Sequence, residues 1–314
     1  MKNSSFEVRN GADTNSGFRR LIRHVLGTFG LGTLRLRSAV LMPDKDSASA
    51  SEQVLAHPLW YHTLEVVPGV VTPGWFDLRP IVDRIPFPDV QGKRCLDVGP
   101  YDGFFAFELE RRGASEVVAV DIGDHASWDW PYADRISGPQ GLSQLANHAE
   151  VGAGFELAKR LMKSRVERVI LSVYDLSEER LGQFDLVTCG SLMLHLKDPV
   201  RALEAIRSVT GSLFLSSETI SLQLSLKSPR HPAAELKAGR DCQWWIPNIA
   251  GHRALVESAG FAIQTSTRPY SIRFGPGHQL ADAQTYRGRE VVLARALAGG
   301  PGVPHAALLA SPTG

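Results

Sequence analysis

A chain of 314 residues can bury one large domain or two modest ones. Its net charge of +1 gives no global pull toward nucleic acid. Cys95, Cys189 and Cys242 lie far apart with no Cys-x-x-Cys or Cys/His cluster, so no metal site or disulfide framework is expected and a reduced, cytoplasmic compartment is the default.

Residues 1–56 read as an N-terminal extension. Residues 1–16 are polar and 19–26 carry a basic amphipathic helix, interrupted afterwards by Gly27, Gly30 and Gly32. That helix can pack on the main domain or act as a lid, the preferred readings. It can also contact a second copy of the chain as a homodimer, or lie on a membrane surface. No apolar run reaches membrane-spanning length. Residues 43–53 read as a Ser/Ala/Asp linker.

Residues 57–79 are rich in aromatics and broken by Pro68-Gly69 and Pro73-Gly74. Trp60, Tyr61, His62 and Trp75 can either roof a ligand pocket or plug a sheet edge. A helix over 78–85 leads into the next strand.

Residues 93–122, KRCLDVGPYDGFFAFELERRGASEVVAVDI, form a strand, a glycine turn, a helix, a second strand and a terminal acid. That is a βαβ unit with a nucleotide-type ligand at its switch point. Gly99 and Gly103 admit close backbone approach, and Asp121 can accept hydrogen bonds from a ribose diol. The spacing Asp97-x-Gly99-x-x-x-Gly103 puts Tyr101 where a dinucleotide fingerprint has its middle glycine. Asp97 and Asp102 place negative charge where a pyrophosphate would sit. The unit therefore favours S-adenosylmethionine over NAD.

Trp128 and Trp130 follow on a loop. A helix over 154–165 precedes a third strand over 166–173. Asp175 then either accepts a hydrogen bond from an adenine amino group or caps a short turn. A fourth strand over 184–188 opens into the loop 189–195, on the sheet edge that lines the ligand crevice in such folds. Asp198 and Pro199 start a helix to residue 209, and a fifth strand over 212–218 ends at Glu218. Residues 221–240 read as an irregular candidate lid. Trp244 and Trp245 either pack a planar or sugar-like acceptor or close the core. Asn248 caps a helix that Gly260 ends. Residues 261–273 and 290–297 read as two final antiparallel strands, and 299–314 as a flexible tail.

The segments LDVGPYDGFFAFELERRGA, ASWDWPY, SVYDL, FDLVTCGSLMLHLKDP and WWIPN…LVESAGF resemble class I S-adenosylmethionine-dependent methyltransferases. Within that class they resemble the family typified by the tRNA wobble-uridine (5-oxyacetic acid) methyltransferases and their small-molecule relatives, over roughly residues 57–295. The resemblance implies an α/β Rossmann-like domain over 57–298, with a mostly parallel seven-stranded sheet ending in an antiparallel hairpin. It places Asp97, Gly99, Tyr101 and Gly103 under the methionine part of the cofactor, Asp121 on the ribose, Asp175 on the adenine, and the Ser191 and Leu192 backbone beside the sulfonium. Leu194 stands where the tRNA enzymes carry a tyrosine, and Lys197 is displaced, which departs from the carboxylated-cofactor pattern. The leading expectation is methylation of a hydroxyl on a sugar or specialised metabolite. His195 is the first candidate base and His62 the second, while Glu218 can orient the hydroxyl. A tRNA uridine methyl or carboxymethyl transferase is one alternative; a non-catalytic S-adenosylmethionine-binding protein is another.

Overall fold

The computed structural model describes residues 45–136, 138, 150–239, 242–278 and 289–314. The helix expected over 19–26 lies outside them. Where a linker is expected, α1 (Lys45–Ala56) forms, because Ala50 and Val54 recur at helical spacing and bury their side chains. β1 (Glu65–Val67) and β2 (Val70–Val71) pair antiparallel across Pro68-Gly69, with Gly69 at φ 81°. β3 (Phe76–Asp77) follows. The helix expected over 78–85 is a 3-10 segment, Arg79–Arg84. Pro80 removes a donor at its start, and Pro86 holds Ile85 extended at its end, so no α-helix can run through.

The β-α alternation then proceeds through β4 (Arg94–Val98), α2 (Phe104–Arg111), β5 (Glu116–Asp121), α3 (Ala153–Met162), β6 (Glu167–Ile170), β7 (Phe184–Gly190), α4 (Pro199–Val209) and β8 (Thr210–Thr219). After it come α5 (Leu222–Lys227), β9 (Ala234–Leu236), β10 (Trp245–Pro247), α6 (Ile249–Ser258), β11 (Phe261–Ser266), β12 (Tyr270–Phe274), α7 (Arg289–Leu297) and β13 (Val303–Pro312). Local chemistry sets the helix starts. Asp198 accepts a hydrogen bond from the Arg201 amide, with Pro199 at the first helical position, and Asn248 accepts one from the Gly251 amide.

The main sheet has the order β3-β12-β13-β8-β7-β4-β5-β6, with β11 also on β13. β6, β5, β4, β7 and β8 are mutually parallel, and β13 runs antiparallel to β8. This is the expected Rossmann-like architecture with nine strands rather than seven. The strand beside β13 is split into β11 and β12, and β3 adds an edge. Both faces of the sheet are covered, and the middle of β4, β5 and β7 is accordingly apolar on each face. Cys95, Val117, Ala119 and Leu186 face α2 and Phe155, while Leu96, Val118, Val187 and Phe214 face α4 and α6.

Two C-terminal expectations are corrected. Residues 290–297 are helical, because α7 buries Ala294 against Ile220, Leu222 and Ala306. Residues 303–312 are no tail: β13 is an interior strand whose Ala306, Ala307 and Ala310 are 2%, 0% and 0% exposed. Its backbone pairs with β8 on one side and with β11 and β12 on the other, and alanine carries little strand signal of its own. Within residues 221–239, α5 and β9 form, the latter paired with β10. No helix among the described residues is long and apolar enough to cross a membrane.

Candidate active site

The order β5-β4-β7 puts a topological switch point at the carboxyl end of β4, where a crevice must open. The turn leaving β4 is built for close approach. Gly99 and Gly103 hold φ of 72° and 94°, which side chains resist. A Cβ on Gly103 would meet Phe107 at 2.5 Å and Phe155 at 2.9 Å. Tyr101 and Ser191, on the two sides of the crevice, also sit at positive φ, 50° and 52°.

Four carboxyls gather around this point. Asp97 accepts hydrogen bonds from the Ala106 amide (2.9 Å) and the Thr188 hydroxyl (2.9 Å). Asp121 accepts from the amides of Ile122 (2.8 Å) and Tyr101 (3.3 Å). Asp102 accepts from the amides of Tyr61 (2.5 Å) and His62 (3.0 Å). Glu218, at the tip of β8, accepts from the amides of Leu192 (3.4 Å) and Met193 (3.3 Å) and from the Cys189 thiol (3.7 Å). Burial pushes Asp97 and Asp102 up to about 7 and Glu218 up to about 8. Burial also raises Asp121, against the opposing charge of Arg168. A crevice of acids without an ion-pair partner among the described residues suits a cationic ligand. S-adenosylmethionine, with its sulfonium and ammonium, fits that donor set and the glycine turn. A pyrophosphate does not.

A narrow cleft of about 40 Å³ lies beside the turn, lined by His57, Leu59, Tyr101, Asp102, Asp121 and Trp128 among others. A chamber of about 630 Å³ lies on the other side, under β7 and β8, within the range of a small-molecule site. Its apolar walls include Trp75, Phe76, Leu194 and Ile272. Four histidines line it: His62, His195, His278 and His305. His195 Nδ1 lies 2.7 Å from the Cys242 carbonyl, which can only accept, so the proton is on Nδ1 and Nε2 presents a lone pair. Burial lowers its pKa. His305, on β13, is fixed the same way by the Val303 carbonyl at 2.9 Å, and its Nε2 faces the Ser191 and Thr219 hydroxyls at 2.8 and 3.1 Å. His62 is buried, its Nδ1 has no hydrogen-bond partner among the described residues, and burial pulls its pKa down to about 3.

The candidate residues thus divide. Asp97, Gly99, Tyr101, Gly103, Asp121, Ser191 and Leu192 meet at the crevice, with Glu218 beneath it. His195, His62, Tyr61 and Trp75 line the chamber. Trp60 does not: it is 2% exposed and its indole donates to the Val54 carbonyl. Trp244 and Trp245 donate to the carbonyls of Asp129 and Lys197, and neither lines the chamber. Asp175 is exposed at the end of a 3-10 turn beyond β6, because the strand stops at Ile170. Sequence reasoning missed Asp102 as a structural acceptor and His305, Ser217 and Thr219 as chamber residues. The β8 alternation signals Ser217 and Thr219; nothing local signals His305.

The buried groups set a pH dependence. The raised carboxyls bind protons more tightly folded than unfolded, so their contribution is present below their unfolded pKa and is lost as pH rises through about 7 to 8. His62, His252 and His305, lowered to about 3, 3 and 4, contribute above 6.5 and lose it on acidification. Above pH 6.5 the carboxyls act first, and the buried thiols of Cys95 and Cys189, raised by burial, act in the same direction at higher pH. The urea midpoint of the cofactor-free protein is expected to fall between about pH 6.5 and 8.5. A rising midpoint across that window would remove the assignment of protonated buried acids.

Residues 77–265 match the family model described as a methyltransferase domain. Over 129 residues the chain is 29% identical to the ubiquinone biosynthesis O-methyltransferase of Acinetobacter baylyi, covering 40% of this chain and 44% of that protein. Over 132 residues it is 30% identical to the namesake enzyme of Neisseria meningitidis serogroup C, covering 41% and 45%. The chain spans under half the length of these curated relatives. Among solved structures, an S-adenosylmethionine-dependent methyltransferase from Mesorhizobium loti aligns at 16% identity with a TM-score of 0.40, over 72% of this chain and 93% of that one.

Proposed function

Since the chain belongs to the methyltransferase domain family, we propose that it is an S-adenosylmethionine-dependent methyltransferase acting on a hydroxyl oxygen of an uncharged small molecule held in the 630 Å³ chamber. When bound, S-adenosylmethionine supplies an electrophilic methyl group. Asp97, the Gly99–Gly103 turn, Asp121 and the Ser191–Leu192 backbone would hold the cofactor.

The observation that carries the reading is the orientation of His195. Its Nδ1–H is committed to the Cys242 carbonyl, and its lowered pKa keeps it neutral at pH 7. Nε2 can therefore take the proton of an acceptor hydroxyl. Oxygen as the acceptor atom is supported by the O-methyltransferase relatives. An uncharged acceptor is supported by the lining itself: Glu235 and Lys237 bond each other at 2.8 Å. The aromatic and aliphatic walls favour a ring or terpenoid-like body, and Ser191, Ser217 and Thr219 favour one carrying further oxygens.

The test is transfer from methyl-labelled S-adenosylmethionine to three pools: uncharged phenols and glycosides, amine-bearing analogues, and total tRNA. Label is expected in an alkali-stable methyl ether of a neutral probe. Label confined to amines or RNA, or transferred to none of the three, would overturn the reading.

A further inference from the structure

One hexapeptide, residues 57–62, contributes to both cavities. His57 and Leu59 line the narrow cleft beside the ribose acid, while Tyr61 and His62 line the chamber. One carboxylate hydrogen-bonds it to the glycine turn. Asp102 Oδ2 accepts the amides of both Tyr61 and His62, across 41 and 40 residues of sequence. The same turn adds a second contact: the rings of Tyr101 and Tyr61 lie 4.9 Å apart. On its other side the turn reaches Asp121 through the Tyr101 amide. Asp102 is itself held. It is 3% exposed, and a Cβ on Gly154 would collide with its Oδ1, so α3 fixes it from behind.

We propose that Asp102 is a positioning residue that ties the chamber wall at Tyr61 and His62 to the cofactor turn, so that the cofactor site and the acceptor site are ordered together. The physical reason is geometric. A cleft of about 40 Å³ is far below the roughly 300 Å³ at the small end of ligand pockets, so a nucleoside must displace or order its walls, which include Tyr101, Asp102 and the hexapeptide. A shared acceptor passes that ordering to two consecutive amides whose side chains face the chamber. The proposal rests on the chamber being the acceptor site. The consequence is a binding order, with the acceptor well seated only after the cofactor.

Hydrogen exchange of the full chain with and without S-adenosylhomocysteine tests this, with calorimetry to establish saturation. In the wild type the ligand is expected to slow exchange about tenfold or more both in residues 95–105 and at the amides of 60–63. In Asp102→Ala the first protection should remain and the second vanish. Asp102→Asn keeps an oxygen that accepts both amides and should restore the second, which a merely structural loss would not permit. Wild-type protection confined to 95–105 overturns the proposal, a result that needs no variant to fold. So does linked protection that survives in Asp102→Ala, or that is absent in Asp102→Asn. These readouts involve no acceptor, so a failure of the hydroxyl assignment shows separately, as absent methyl transfer with the exchange linkage intact.

Discussion

Deleting residues 303–314 is expected to abolish folding, leaving a chain that is insoluble or lacks a cooperative thermal transition by circular dichroism. β13 pairs with β8 from His305↔Thr219 to Ala310↔Phe214 and with β11 from Phe261↔Pro312 to Ser266↔Leu308. It also pairs with β12 through residues 303–305. Without it, the inner edge of β8 and the facing edges of β11 and β12 lose their partners in the middle of the sheet. Each buried backbone group left unpaired costs about 1–3 kcal/mol, and burying Leu308 contributes about 1.5–3 kcal/mol more. A handful of such losses exceeds the roughly 5–15 kcal/mol by which domains are stable. Ala307→Asp, at a fully buried position, should fail in the same direction by placing a charge there without a partner. A soluble deletion variant with native circular dichroism would show that β13 is dispensable.

His195→Ala is expected to lower single-turnover methyl transfer by about 10²- to 10⁴-fold, the range for loss of a general base. S-adenosylhomocysteine affinity should change little, since His195 lines the chamber rather than the cleft. The wild-type rate should fall with acidity below about pH 6.5, because burial holds the His195 pKa beneath its ordinary value and only the neutral ring accepts a proton. The variant should lose that acid limb. Retention of both rate and limb would leave His195 as a partner of the Cys242 carbonyl and nothing more.

What the sequence disclosed follows from where residue type is forced. Gly99 and Gly103 were legible because their backbone angles exclude side chains, and Asp198, Pro199 and Asn248 because helix starts need caps. The parallel strands were legible as apolar runs. β13 was not: its pairing partner β8 lies some 90 residues earlier and its alanines carry little strand signal, and α7 carries a β-branched pair at Val291 and Val292 that argues locally for a strand. The tryptophans mislead for the same reason. Their size flagged a binding surface, yet Trp60, Trp244 and Trp245 spend their indole N–H groups on carbonyls of neighbouring segments. Asp102 reads as one more acid of the turn, since its partners are main-chain amides that no residue identity announces.

The small β9–β10 sheet hydrogen-bonds apart from the main one, and it brings Glu235, Lys237, Gln243 and Ile246 to the chamber. What it gives to chemistry, however, is a main-chain oxygen, that of Cys242, and every residue type has one. Selection can therefore rewrite these side chains, and with them the choice of substrate, while the base keeps its tautomer and the sheet its pairing. The hairpin is where this scaffold can diversify at the lowest cost to its foldability.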